Sequence, residues 1–140
     1  MVENGENGCL RVVIADDHKL FAELLSSSLA AEKRVDVVGL ASTGTEAVEL
    51  VAELEPDVVL MDLDMPLMDG VEAIRVLRER GARARVLVLT GSESPGEDSV
   101  RAMQAGASGF VRKDQSVQDL MSSFVEVASL TVAFGGTPAT

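Results

Sequence analysis

Apolar residues fall into two alternating kinds of run along the chain. Short apolar-rich runs cover Leu10 to Ala15, Val35 to Ala41, Val58 to Met61, Val86 to Leu89 and Gly109 to Val111. Their length and their bounding turn formers predict strands, and the uninterrupted VVLM of the third is the habit of a strand buried on both faces. Between and after them apolar residues recur every three or four positions, which predicts helices. The first helix carries Leu20, Phe21, Leu24, Leu25 and Leu29, the second Ala47, Val48, Val51 and Leu54, the third Val71, Ile74 and Leu77, and the last Leu120, Phe124 and Val127. Capping signals punctuate the same pattern. Thr43 with Glu46 reads as a capping box, Asp69 with Glu72 caps the third helix and Gly81 closes it. Ser94, Pro95 and Glu97 open a fourth helix that Gly106 ends, and Ser116 with Asp119 opens the last.

Five strand and helix pairs in regular alternation predict an α/β domain: a doubly wound, five-stranded parallel sheet of order 2-1-3-4-5 with five helices on its two faces. In that order strands one and three are neighbours, so Asp16 and Asp17 at the end of the first fall beside Asp62 at the end of the third. Residues 1–9, MVENGENGC, are polar and Gly-rich and read as a disordered leader; residues 10–130 form the domain. Residues 131–140, with Gly135, Gly136 and Pro138, read as a tail or the start of an interdomain linker.

Composition narrows the partners. Twenty-three acidic against twelve basic residues leave a net charge of −11, which repels nucleic acid, and no basic stripe interleaved with aromatics relieves it. The single cysteine, Cys9, allows no internal disulfide, and the sequence has neither a signal peptide nor a run of membrane length. The expected setting is cytoplasmic, with no membrane partner.

The chemistry gathers at strand ends. Carboxylates as close as Asp16, Asp17 and Asp62 raise one another's pKa unless a cation joins them, and hard oxygen ligands suit Mg2+. Thr90 follows the fourth strand with a hydroxyl, and Lys113 follows the fifth with an ammonium. A carboxylate nucleophile, a metal, a hydroxyl and a lysine are the parts needed for phosphoryl transfer to an aspartate.

The acidic pair Asp16 and Asp17, the run DLDMPLMDG from Asp62 to Gly70, Thr90 with Gly91, and GFVRK ending at Lys113 resemble the receiver domains of two-component response regulators. The match runs from Leu10 to about Leu130. Within that family, ADDH at the first strand end and AGASGFVRKD before the last helix are most similar to the NarL/FixJ branch. The resemblance implies a flavodoxin-like fold and a signalling domain that catalyses only its own phosphorylation and dephosphorylation. Asp62 would accept phosphate from a sensor histidine kinase. Asp16, Asp17, Asp62 and the backbone carbonyl of Asp64 would hold Mg2+, and Thr90 and Lys113 would bind phosphoryl oxygens. Thr90 with Phe110, the switch aromatic, would pass the change to the face of helix 4, strand 5 and helix 5, with Gly91, Pro95 and Gly96 shaping the hinge. Members of the branch append a helix-turn-helix domain, so DNA would be reached only through that absent C-terminal part. The position after Lys113, often proline in the family, is Asp114 here.

Some residues have plainer readings. Asp16 and Asp17 could cap the first helix, His18 reads as a first-turn helix residue rather than a metal ligand, and the methionines read as gap fillers. Asp62, Leu63 and Asp64 also spell the DxD of aspartate-nucleophile phosphatases, but Met65 and Pro66 follow and the acidic pair lies upstream. A flavin module on the same fold would put a phosphate-cradling loop where Asp16 and Asp17 stand. A stand-alone receiver acting through protein contacts is the alternative output. Spare apolar residues on helices 1 and 5, with Met121, Phe124, Val125 and Ala128 on the latter, predict a face for a second receiver or an attached domain.

Overall fold

The computed structural model describes residues 9–90, 97–113, 116, 118–120, 122–124 and 126. In chain order these form β1 (Leu10–Ala15), α1 (Lys19–Ala30), β2 (Val35–Ala41), α2 (Gly44–Leu54), β3 (Val58–Asp62), α3 (Gly70–Glu79), β4 (Arg85–Thr90), α4 (Glu97–Ala105) and β5 (Gly109–Arg112). Residues 118–120, 122–124 and 126 are helical as well. The strands make one parallel sheet in the order β2-β1-β3-β4-β5, the expected doubly wound arrangement. Residues 1–8 of the leader, the Ser94 and Pro95 cap, Gly91, Gly96, Asp114, Met121, Val125, Val127, Ala128 and the tail lie outside the described residues.

Strand periodicity divides the core in two. Val13, Ala15, Val59, Met61, Val86 and Val88 face α2, α3 and α4, whereas Val12, Ile14, Val58, Leu60, Leu87, Leu89 and Val111 face α1, Leu120 and Phe124. Successive side chains point to opposite faces, so covering both faces requires the unbroken apolar runs of β1, β3 and β4. The same alternation, carried to the strand ends, decides which functional residues meet. Backbone pairing continues beyond the strands proper, with Asp16 N–H on the Ala41 carbonyl at 2.9 Å and Lys113 N–H on the Thr90 carbonyl at 2.7 Å. Asp16, Asp62 and Lys113 thus carry the parity of the α1 face, and Thr90 and Phe110 that of the α4 face.

The helices follow their caps closely. Thr43 Oγ1 accepts the Glu46 N–H at 3.0 Å, Asp69 Oδ1 the Glu72 N–H at 2.9 Å and Ser116 Oγ the Asp119 N–H at 3.1 Å. The box at α2 is offset by one residue: the Glu46 carboxylate accepts from Ser42 N–H and Ser42 Oγ, and these bonds hold it below the ordinary carboxylate range. Gly81 takes φ of +76° to close α3, letting Ala82 N–H reach the Leu77 carbonyl at 3.0 Å.

On α1 the expected surplus of apolar residues over one buried stripe is present. Its buried stripe is Ala22, Leu25 and Leu29 with Phe21 half-buried, while Leu20 and Leu24 are 79% and 52% exposed. At 3.6 residues per turn Leu20 and Leu24 lie about 160° round the helix from Ala22, so both cannot share its stripe. Phe124 is fully buried against the sheet and is not a spare surface residue.

Candidate functional site

Three parallel strands deliver charge to one crevice at their carboxyl ends. Asp16 and Asp62 stand one position beyond Ala15 and Met61, which are paired across β1 and β3. Both carboxylates are buried, Asp16 at 1% exposure and Asp62 at 5%. Asp17, on the turn towards α1, is partly exposed. Lys113 reaches in from beyond β5, its Nζ 2.7 Å from Asp16 Oδ2 and 3.6 Å from Asp62 Oδ2. Phe21 of α1 supports that ammonium, its ring centroid 4.7 Å from Nζ.

The balance of charge in the crevice is negative. Among the described residues Asp62 Oδ1 accepts the Asp64 N–H, at 3.2 Å, and Asp62 Oδ2 and Asp16 Oδ2 are buried without a hydrogen bond of good geometry. Burial, then the charge of Asp16, pushes the Asp62 carboxyl up to about 6, against the opposing pull of Lys113 and the Asp64 N–H. A cluster of hard oxygens with buried, unsatisfied lone pairs is suited to a divalent cation, and Asp16, Asp17, His18 and Asp62 can offer ligand atoms all within 4.8 Å of one another. The residues fit a metal ion.

His18 departs from the expectation of a first-turn helix residue. It is the N-cap of α1, and its side chain makes no capping bond. Its ring turns into the cluster, with Nδ1 3.0 Å from Asp16 Oδ1 and 3.5 Å from Asp17 Oδ1. The dihedral choice of one exposed side chain leaves no trace in sequence periodicity.

Thr90 and Phe110 stand apart from that cluster by strand parity. Thr90 ends β4 one residue beyond Leu89, the partner of Asp62, and Phe110 pairs with Val88 and is half-buried against the α4 side. Lys113 lies three residues after Phe110, and its N–H on the Thr90 carbonyl ties the two groups together.

Two glycines that carry no chemistry shape the loop after Asp62. A Cβ on Gly70 would stand 2.5 Å from the Asp62 carbonyl oxygen, and one on Gly44 would stand 2.0 Å from that of Met68. Both are first residues of helices, α3 and α2, and their bareness lets these helices close on the loop. At the loop tip Leu67 has φ of +71°, with Met68 N–H bonded to the Pro66 carbonyl at 2.7 Å in a three-residue turn. Glycine at a helix start after a cap is the sequence signal that could have marked both positions.

Comparison with known proteins agrees with this geometry. Residues 12–125 match the family model described as the response regulator receiver domain. The chain is 40% identical over 114 residues to the uncharacterized transcriptional regulatory protein YhcZ of Bacillus subtilis, covering 81% of this chain and 53% of that protein. It is 38% identical over 128 residues to the transcriptional regulatory protein DegU of Brevibacillus brevis, covering 91% and 54%. The chain thus spans about half the length of the curated relatives it matches. Among solved structures it superposes on the signal receiver domain of the response regulator NarL from Mycobacterium tuberculosis with a TM-score of 0.78 at 36% identity, covering 86% of this chain and 97% of that one. The Thermotoga maritima CheB response regulator domain gives 0.82 at 27% identity, covering 89% and 97%. With the family match covering most of the chain and the strand order and acidic crevice in place, the chain belongs to the response regulator receiver domains of two-component systems.

Proposed function

We propose that Asp62 is the phosphoacceptor of this receiver and that its phosphorylation is the signal. The observation that carries the reading is the state of Asp62: a buried carboxylate with an unbonded oxygen, a lysine 3.6 Å away and two further aspartates at hand. In the reaction one carboxylate oxygen of Asp62 attacks phosphorus as the bond to the imidazole nitrogen of a sensor kinase's phosphohistidine breaks, leaving an acyl phosphate. With its pKa near 6, Asp62 is about nine-tenths ionised at pH 7 and ready to attack. Asp16, Asp17, Asp62 and the Asp64 backbone carbonyl would hold Mg2+, which supplies positive charge to phosphoryl oxygens. Lys113 and Thr90 bind those oxygens from either parity of the sheet. Phe110 then follows Thr90, and the change is displayed on α4, β5 and the last helix.

The output we propose is transcription, because the curated relatives at 38–40% identity are transcriptional regulatory proteins of about twice the matched length. DNA contact belongs to the remainder of such a protein, since the net charge of −11 makes this domain a poor nucleic-acid binder. A second receiver is the expected occupant of the α1 face on which Leu20 and Leu24 are exposed. Leu20→Glu should reduce self-association in sedimentation, and unchanged association places the contact elsewhere.

The decisive test is intact mass spectrometry after incubation with magnesium and a small acyl phosphate. Wild type should gain one phosphoryl group, labile to hydroxylamine, and Asp62→Asn none. Equal uptake by the variant removes Asp62 as acceptor.

A further inference from the structure

His18 brings a nitrogen into a cluster otherwise made of oxygen. Its Nδ1 lies 3.0 Å from Asp16 Oδ1, 3.5 Å from Asp17 Oδ1 and 3.9 Å from Asp62 Oδ2. In an octahedral shell with bonds of about 2.1 Å, neighbouring ligand atoms are separated by about 3.0 Å and opposite ones by about 4.2 Å. The contact with Asp16 matches the neighbouring separation and that with Asp62 approaches the opposite one, so small side-chain rotations would bring His18 and the carboxylates around one ion. Asp62 Oδ2, buried and without a hydrogen bond, is aimed into the same space. Lys113 occupies the other side, against Asp16 Oδ2, which leaves Asp16 Oδ1 turned to His18.

We propose that His18 Nδ1 is a fourth side-chain ligand of this site, and that it makes the site prefer borderline first-row transition ions such as Co2+ and Zn2+ over Mg2+. The inference rests on the acidic cluster being a cation site, as proposed above, and adds a nitrogen donor to it. Neutral imidazole suits borderline transition ions, whereas magnesium keeps oxygen ligands and water. To ligate, Nδ1 must present its lone pair, so the ring proton resides on Nε2, and the contact with Asp16 changes from a hydrogen bond to a shared ion. The ring is 66% exposed and makes no capping bond, so it can swing aside for magnesium without loss to α1.

The rival explanation is a plain hydrogen bond from His18 to Asp16 with no part in metal binding. Titrations of the 140-residue chain and of its His18→Ala and His18→Asn variants with Co2+ and Mg2+ separate the two. Asparagine is a good N-cap that offers no imidazole, so it guards against loss of the helix start. Both variants should bind Co2+ more weakly by tenfold or more while the Mg2+ affinity stays within twofold of wild type. Pulsed electron paramagnetic resonance of Mn2+ bound to wild type should show imidazole nitrogen coupling that both variants lose. Magnesium binding with no nitrogen coupling in wild type, or equal weakening of Co2+ and Mg2+ in the variants, overturns the role of His18 alone. Failure of wild type to bind either ion overturns the cation site itself and this inference with it.

Discussion

The two ends of the sheet treat charge in opposite ways. At the amino-terminal ends of the strands, Asp57 accepts the Arg11 N–H on Oδ2 at 2.9 Å and the Arg85 N–H on its carbonyl at 2.9 Å. The Arg11 guanidinium closes on the Leu54 and Glu55 carbonyls. Arg78, half-buried between α3 and α4, donates to the carbonyls of Gly106, Ala82 and Ala84 at 3.3, 2.8 and 2.8 Å. At the carboxyl-terminal ends the carboxylates face one another, and the two buried side-chain oxygens without hydrogen bonds among the described residues are both there. Cavity size misleads: a depression of about 1010 Å³ between α2, α3 and the starts of β3 and β4 lies at the amino end and holds no such atom. Buried carboxylate oxygens crowded together without a hydrogen bond, not volume, set the carboxyl end apart as the candidate site.

If the contrast is right, removing charge should have opposite signs at the two ends. Arg78→Ala strands three carbonyls and removes the support beneath Gly106, whose missing Cβ would lie 2.7 Å from Arg78 Cγ. A loss of about 3 kcal/mol is expected, from charged hydrogen bonds contributing about 1.5 to 3 kcal/mol each less partial rehydration of the exposed groups. Denaturant unfolding measures it, and uptake of phosphate by the folded fraction should be unchanged. A neutral Arg78→Ala would remove the structural reading of the amino end.

Asp62→Asn should instead stabilise the metal-free protein. With a folded pKa of about 6 against an ordinary 3.8, the folded state takes up the Asp62 proton before the unfolded state does as pH falls. Wild type therefore gains stability from that proton between about pH 6 and 4 and lacks it above pH 6, where a buried charge must be tolerated. The variant carries no such charge, and its advantage should be about 2 to 3 kcal/mol at pH 7.5, shrinking towards nothing below pH 4. An advantage that does not change between pH 7.5 and 4 would assign the effect to something other than ionisation.

Legibility in the sequence follows the same physics. The strands, their order and the meeting of Asp16, Asp17 and Asp62 could be read because unbroken apolar runs ending in carboxylates leave few alternatives in a parallel sheet. Lys113 and Thr90 could be placed at strand ends, but their opposite parity became visible only with the register of β4 and β5. The helix faces were less readable. Spacing showed that α1 carries more apolar residues than one stripe needs, but not which of them are spare: Ala22, too small to draw notice, holds the stripe that faces the sheet, and Leu20 and Leu24 are left outside it. Arg78 was missed, and the turn of the His18 ring towards the carboxylates was not foreseen, for one reason: a long or rotatable polar side chain finds its partners in space, and carbonyl acceptors or clustered carboxylates have no sequence period.

Magnesium should reverse the frustration at the carboxyl end. An ion that binds only the folded state adds about 1.4 kcal/mol at ten times its dissociation constant, which is about 4 °C in melting temperature for a chain of this length. Asp17→Ala should erase that response, and by removing one like charge it should leave the metal-free protein no less stable than wild type. A full magnesium response in the variant would take Asp17 out of the site.

The smallest effect expected on uptake, and the most telling for signalling, is at Thr90. The charged trio Asp16, Asp62 and Lys113 has the parity of the α1 face, whereas Thr90 and Phe110 share that of α4, so a signal from phosphate must cross the sheet. The backbone bond from Lys113 N–H to the Thr90 carbonyl is a link at that crossing. A hydrogen bond to a charged phosphoryl oxygen contributes about 1.5 to 3 kcal/mol, enough to shift a two-state equilibrium by about tenfold to over a hundredfold. A near-complete switch needs about 5.5 kcal/mol, so Thr90 must share the task with Lys113. Thr90→Ala should therefore take up phosphate on Asp62 nearly as wild type does, because the trio is intact. The phosphate-dependent change in hydrogen exchange across α4 and at Phe110 should shrink at least tenfold in the corresponding equilibrium. An exchange pattern that still shifts as in wild type would mean that the signal leaves the crevice along α1, on the side where the charge already lies.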